Sequence, residues 1–221
     1  ESWLEGTKKV CNALVKIWDQ NHQFGQFVDS ITREIRVGNS TCGAIIPGAL
    51  ALAGEFFGNT TYLKTAEQSG QYYYQNFVEK GTLCGGPGDA LQNPDSESAY
   101  ALLESHVTLF EISQQDLFLQ YAKDTCVQFA SWVMNYNYQF PKNSLLHQLG
   151  ILTTGTVFAN TQNKHGAPGI CLHSGSALLR LYRLTHNDTY LNLLKQITQH
   201  IPQNLSHPAK PSEGMPIGWV S

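Results

Sequence analysis

The chain has 221 residues, of which 42% are apolar, 11% aromatic and only 14% charged, and its formal net charge is −3. That length suits one domain, at most two, with a sizeable core, and so much aromatic content with so little charge excludes disorder. Without an excess of Lys and Arg there is nothing to displace counterions from phosphates, so no nucleic-acid partner is expected, and no apolar run approaches the ~18 residues that cross a bilayer.

Along the chain, helical periodicity dominates. Leu4, Val10, Leu14, Ile17 and Trp18 recur every three or four residues and predict a helix over 2–20. In the loop that follows, Ile31, Ile35 and Val37 alternate with Thr32, Glu34 and Arg36, the pattern of a short strand. Further helices are predicted over 43–57, 61–79, 95–113, 115–134, 169–185 and 188–201, the last stopping before Pro202.

These helices repeat. TYLKTAEQ from Thr61, LFLQYAKD from Leu117 and TYLNLLKQ from Thr189 share an aromatic residue followed by Leu. Each follows a tight polar turn, and before each turn lies a more apolar helix with small residues. The unit is a helical hairpin of roughly 55 to 70 residues, long for a helical repeat. Its inner turns are short, whereas the connections at 21–40, 80–94, 135–168 and 204–218 are long. Stacked hairpins put the short turns on one rim and the long loops on the other, so site residues belong to the long-loop rim. Seven helices make three and a half hairpins. The chain begins on a second-type helix at Glu1, without a signal peptide, and ends at GMPIGWVS, where a first-type helix would start. Both ends therefore look open, as in a mature, trimmed or excised segment of a larger helical toroid, or in a chain that needs a neighbour.

Two stretches carry candidate chemistry. In CGGPGDALQNPDSESAY (84–100), glycines and prolines fix an irregular backbone before a helix, with Asp89, Asp95 and Glu97 close together. Helix capping explains them, with Asn93 as N-cap, Pro94 at the first helical position and the acids complementing the helix dipole. Acid–base catalysis at a cleft mouth explains them too, and capping does not preclude it. Glu97, Glu104 and Glu111 are spaced by seven and share one helix face. On a helix lining a lumen Glu104 points inward; on a peripheral helix the stripe is merely solvated.

The second stretch, ANTQNKHGAPGICLHSGSALLRLYRLT (159–185), sets Asn160, Gln162, Asn163, Lys164 and His165 before a turn and His173 after it. These are donors and acceptors suited to hydroxyl groups, although His173 is equally a core histidine. Cys171 and His173 would point to different sides of a helix, so no metal is expected there. Tyr136, Tyr138, Phe140, Phe24 and Trp219 lie in or beside the long loops, where they suit either sugar stacking or loop packing. Arg33 and Arg36 suit a substrate carboxylate or an ordinary surface strand. Cys11, Cys42, Cys84, Cys126 and Cys171 are far apart, form no CxxC pair and read as buried free thiols. The sequons at Asn39, Asn59, Asn187 and Asn204 are few enough to arise by chance. No phosphate loop, dinucleotide fingerprint, GxSxG or HExxH occurs, so nucleotide enzymes, serine hydrolases and zincins find no support.

CGGPGDALQNPDSESAYALLES and QNKHGAPGICLHSGSALLRLYRLT resemble bacterial six-hairpin, (α/α)6-toroid carbohydrate enzymes, and more narrowly the group around glycoside hydrolase family 154. The likeness extends from about Val10 to Ser221. It implies an all-α toroid segment over 1–221, about seven helices of twelve, with exo-acting β-glucuronidase activity on plant-polysaccharide side chains. It also implies an extracytoplasmic location; no cofactor is expected. On position and chemistry, the acid is Asp95 or Glu97, and its partner is Asp89 or Glu104, or lies outside the chain. Gln92, Asn93, Asn163, His165 and His173 would hold sugar hydroxyls, Lys164 or Arg36 a uronate carboxylate, and Tyr100 and Trp219 would flank the sugar. A lyase on the same toroid would instead use His165 or His173 with Tyr100 as base, and a third enzyme option is an epimerase with two histidines. A non-catalytic binding or structural segment, closed by more chain or a second copy, would need no convergent acids.

Overall fold

The computed structural model describes residues 2–87, 91–163, 165–167, 175–209 and 215–219. The chain is all-α apart from short strand pairs, and it forms two compact units, Glu1–Phe129 and Ala130–Ser221.

In the first unit, α1 (Trp3–Asn21) starts from a capping box in which Ser2 and Glu5 each bond the other's backbone N–H. The antiparallel pair β1 (Phe27–Val28) and β2 (Ile35–Val37) follows. Four α-helices come next: α2 (Ile46–Phe57), α3 (Thr60–Tyr73), which runs into a π-helical turn over Tyr74–Val78, α4 (Ser96–Ser113) and α5 (Asp116–Ala130). The tight turn between α2 and α3 is made by Gly58 in the left-handed region and by Asn59, whose Oδ1 accepts from the Thr61 and Tyr62 amides. This capping role gives a structural reason for the Asn59 sequon.

Helix α2 packs on both α3 and α4, and α1 packs on α3. The α2–α4 approach is close because position 48 is glycine: a Cβ there would lie 3.0 Å from Ser105 Cα. Ser105 Oγ locks the crossing by accepting from the Gly48 amide (3.1 Å) and donating to the Ala44 carbonyl (2.6 Å). Helix α4 is buried on nearly every side, with Tyr100, Leu102, Leu103, His106 and Leu109 in the core. Conversely, α1 and α2 turn a row of apolar side chains outward, among them Trp3, Val10, Leu52 and Phe56.

The second unit holds one-turn α6 (Leu145–Gln148), the antiparallel pair β3 (Val157–Phe158) and β4 (Gly166–Ala167), and the hairpin of α7 (Ser176–Thr185) and α8 (Asp188–His200), which ends in a 3₁₀ turn over Ile201–Asn204. The α7–α8 turn repeats the earlier device: His186 is left-handed, and Asn187 Oδ1 caps the Thr189 amide. His200 is a buried hub, its ring within 3.1 Å of the Leu152 carbonyl, Thr156 Oγ1, Gln203 Nε2 and Asn204 Nδ2.

Several predicted boundaries move. Helix α2 starts at Ile46 rather than 43, because Gly43 takes a φ of +82°. The helix expected over 61–79 turns π-helical at Tyr74, and that expected to reach 134 ends at Ala130. Ile31 belongs to no strand: it is 85% exposed, in a turn whose amides bond Asp29 Oδ1. The long 135–168 connection contains α6 and the β3–β4 pair. The start expected for α7 at 169 lies outside the described residues.

Candidate functional site

The loop before α4 is held in place by backbone bonds. Cys84 and Thr41 are tied three ways: the Thr41 amide and hydroxyl both donate to the Cys84 carbonyl (2.8 Å each), and the Cys84 amide donates to Thr41 Oγ1 (2.9 Å). The Gly85 amide donates to the Asn93 carbonyl (2.9 Å), closing the loop on itself. Gln92, at a φ of +49°, spans to the strand pair: its Nε2 donates to Gly38 O (2.8 Å) and its amide to Gln26 Oε1 (3.2 Å). Gln92 and Asn93 therefore serve the loop with these groups.

Asp95, not Asn93, is the N-cap of α4. Its Oδ1 accepts from the Ser98 amide (2.5 Å), and its Oδ2 from Ser98 Oγ (2.9 Å) and the Gly86 amide (3.0 Å). A Cβ at position 86 would lie 2.5 Å from Asp95 Oδ1, so only glycine lets the loop come this close. Asp95 has 0% exposure. Burial raises its pKa, and the hydrogen bonds from Ser98, Gly86 and the Glu97 backbone pull the other way. The carboxyl is enclosed, and its position is that of a brace.

Glu97 and Glu104 are half-buried, and Glu111 is exposed at the far end of α4. They form an acidic strip on a helix whose other faces are core. The half-buried Cys42 thiol lies near this strip: burial raises its pKa most, and the charges of Asp95 and Glu97 add to the rise. Ser40 Oγ is buried beside the same loop without a hydrogen-bond partner among the described residues. Sequence reasoning missed Ser40, Thr41, Cys42 and Gln26. The signal for the first three is the run GNSTCG (38–43), small polar residues between two glycines ahead of a helix.

Other expected site residues are placed elsewhere. The Tyr100 ring is fully buried against Phe129, with centroids 4.9 Å apart, so it cannot take a substrate proton. Arg36 is exposed, and its guanidinium is held by Asp29 (2.9 Å) and Glu34 (3.4 Å), which leaves it occupied within its own hairpin. In the second unit, Asn163 and His165 are exposed on a turn organised by Asn160 Oδ1, which accepts from the Gln162 and Asn163 amides. His165 Nδ1 lies 2.9 Å from Gly166 O, and Trp219 is exposed. Asp89, Lys164 and His173 lie outside the described residues. Cys11, Cys84 and Cys126 are buried free thiols, as expected.

No family model matches the chain, and no curated protein is similar to it.

Proposed function

We propose that the chain is a glycoside hydrolase built on a segment of a helical-hairpin toroid, acting on a terminal β-linked uronic acid outside the cytoplasm. The observation that carries this is the half-buried strip of Glu97 and Glu104 on the otherwise buried α4, rising from a loop clamped by Asp95. Glycoside hydrolysis needs two carboxyl groups in a partly enclosed site, one to protonate the leaving oxygen and one to act on water or on carbon. Glu97 stands at the head of the helix and Glu104 two turns deeper. Seven residues at helical rise put them about 10 Å apart along the axis, which is nearer to inverting geometry than to retaining. Asp95 acts through them by fixing where α4 begins. The toroid is supported by the packing of α2 on α3 and α4, of α1 on α3, and by the apolar edge of α1 and α2, which a ring of hairpins would cover with more chain or a second copy.

The test is release from aryl β-glucuronides set against neutral aryl glycosides. Glu97→Gln and Glu104→Gln are each expected to lower kcat by about a hundredfold or more. Asp95→Asn keeps an N-cap acceptor and is expected to cost less than either. A collapse in Asp95→Asn alone, with the fold intact, would return the acid to Asp95. Proton NMR of the first-formed product is expected to give the inverted anomer; the retained anomer would break the Glu97–Glu104 pairing.

A further inference from the structure

Residues 134–140 of the second unit form a braced, aromatic-bearing edge. Met134 N donates to Thr156 O (2.9 Å) and Gly155 N to Met134 O (2.8 Å). Thr153 Oγ1 accepts from Tyr138 N (2.9 Å) and donates to Tyr136 O (2.7 Å). Asn137 Oδ1 accepts from both the amide and the hydroxyl of Thr154. Tyr136, Tyr138 and Phe140 are two apart in sequence, and their rings meet edge to face, with centroids 5.1 and 6.3 Å apart. Rings packed so closely usually lie inside a protein, yet Tyr136 is 56% exposed and Tyr138 44%.

Tyr138 and Phe140 wall a pocket of about 430 Å³, with Ile151, Leu152, Lys142 and His147 also lining it. Among the described residues, neither the Lys142 ammonium nor the His147 ring is engaged in a hydrogen bond or ion pair. No Asp or Glu occurs anywhere between Asp124 and Asp188. Residues 130–221 contain six Lys and Arg against two Asp and Glu, a net charge of +4, whereas residues 1–129 carry −7. The small net charge of the whole chain conceals this division. An aromatic wall, an unengaged ammonium and a stretch of chain without carboxylates are the elements of a site for a flat-faced anion.

We propose that this pocket binds one uronic acid ring, its apolar face laid on Tyr138 and Phe140 and its carboxylate taken by Lys142 and His147. The choice of sugar rests on the hydrolase reading; the anionic, ring-stacking chemistry does not. A nucleobase with its phosphate shares that chemistry, but among the described residues that line the pocket Lys142 brings the one ammonium and there is no arginine, which is little for a run of phosphates.

The experiment is ligand-observed NMR titration of the whole chain with methyl β-glucuronide, methyl β-glucoside and a short oligothymidylate. It uses the wild type, Tyr138→Ala, Lys142→Gln and Glu97→Gln, with circular dichroism to confirm folding. The exposed Tyr138 and Lys142 variants are expected to fold, the glucuronide to bind about tenfold better than the glucoside, and Lys142→Gln to erase that preference. Tyr138→Ala is expected to weaken both sugars about tenfold, and Glu97→Gln to leave the effects of residues 138 and 142 in place. Glucuronide binding that is indifferent to both pocket variants would overturn the site even if hydrolysis is found. Binding sensitive to both, in a chain that hydrolyses nothing, would uphold the site and sink the hydrolase. Oligothymidylate binding tighter than the sugar and lost in both variants would assign the pocket to nucleic acid and overturn the proposal.

Discussion

His106 shows what one buried side chain imposes on the molecule. Its ring lies between Thr125 Oγ1 (3.0 Å) and the Gly70 carbonyl (3.2 Å), with no accessible surface. Burial pushes its pKa down to about 4, although the backbone contacts favour the charged form. An unfolded histidine titrates near 6.5. Between those values the unfolded chain takes up a proton that the folded chain refuses, so stability falls as pH drops from about 6.5 and levels off below about 4. The total loss is about 3 kcal/mol. Urea midpoints measured from pH 7 to 4 are expected to fall more steeply for the wild type than for His106→Gln. Parallel curves would mean that the ring is not held neutral. Asp95 teaches a related lesson about what a sequence discloses. Its place before a helix, among glycines, was legible. Its role was not: the spacing suggested Asn93 as the N-cap with Asp95 in the first turn, and a carboxyl there suits the helix dipole and acid–base work alike. The approach of the Gly86 amide, which encloses the carboxyl, depends on loop geometry that no local pattern encodes.

At the scale of elements, the helices were legible because amphipathic spacing and caps are local signals. The π-helical turn after Tyr73 and the early end of α5 were not, because tertiary packing decides where a helix stops. The crossing of α2 on α4 gives a prediction with an internal control. Alanine is the better helix former, so Gly→Ala in an open helical site stabilises by about 0.5–1 kcal/mol. Gly6 in α1 is such a site, with nothing within 4 Å of a new Cβ. At Gly48 the same Cβ meets Ser105 Cα at 3.0 Å, and backbone cannot swing aside as a flexible side chain can. Overpacking of that kind costs about 1–3 kcal/mol, enough to reverse the sign. In urea denaturation Gly6→Ala is expected to raise the midpoint and Gly48→Ala to lower it. Two increases would mean that the helices part easily and that the Ser105 lock contributes little.

At the scale of the whole molecule, the hairpin repeat was legible because its turns recur: left-handed Gly58 and His186 are each followed by a capping Asn. The division of charge between the two units was not, because a sum over the chain cancels it; its signal is the run without acids from 125 to 187, which begins just before the boundary at 129/130. Nor was the apolar edge. Trp3, Val10, Leu52 and Phe56 have the spacing of ordinary core residues, and only the packing of α1 on α3 and of α2 on α3 and α4 leaves them outside. Trp3, at 94% exposed, reports on that edge directly. If the chain exists alone in solution as described, the spectrum lost on Trp3→Phe is that of a solvated indole, red-shifted and freely quenched by acrylamide. Replacing Phe56, 70% exposed, by Ser is then expected to change stability by no more than about 0.5 kcal/mol, since little burial is given up. A blue-shifted, protected Trp3 component that grows with protein concentration would show a second copy lying over the edge. In that case Phe56→Ser would lower the association constant and leave the dilute chain unaffected. The two measurements together thus separate a face that folding leaves bare from one that assembly covers.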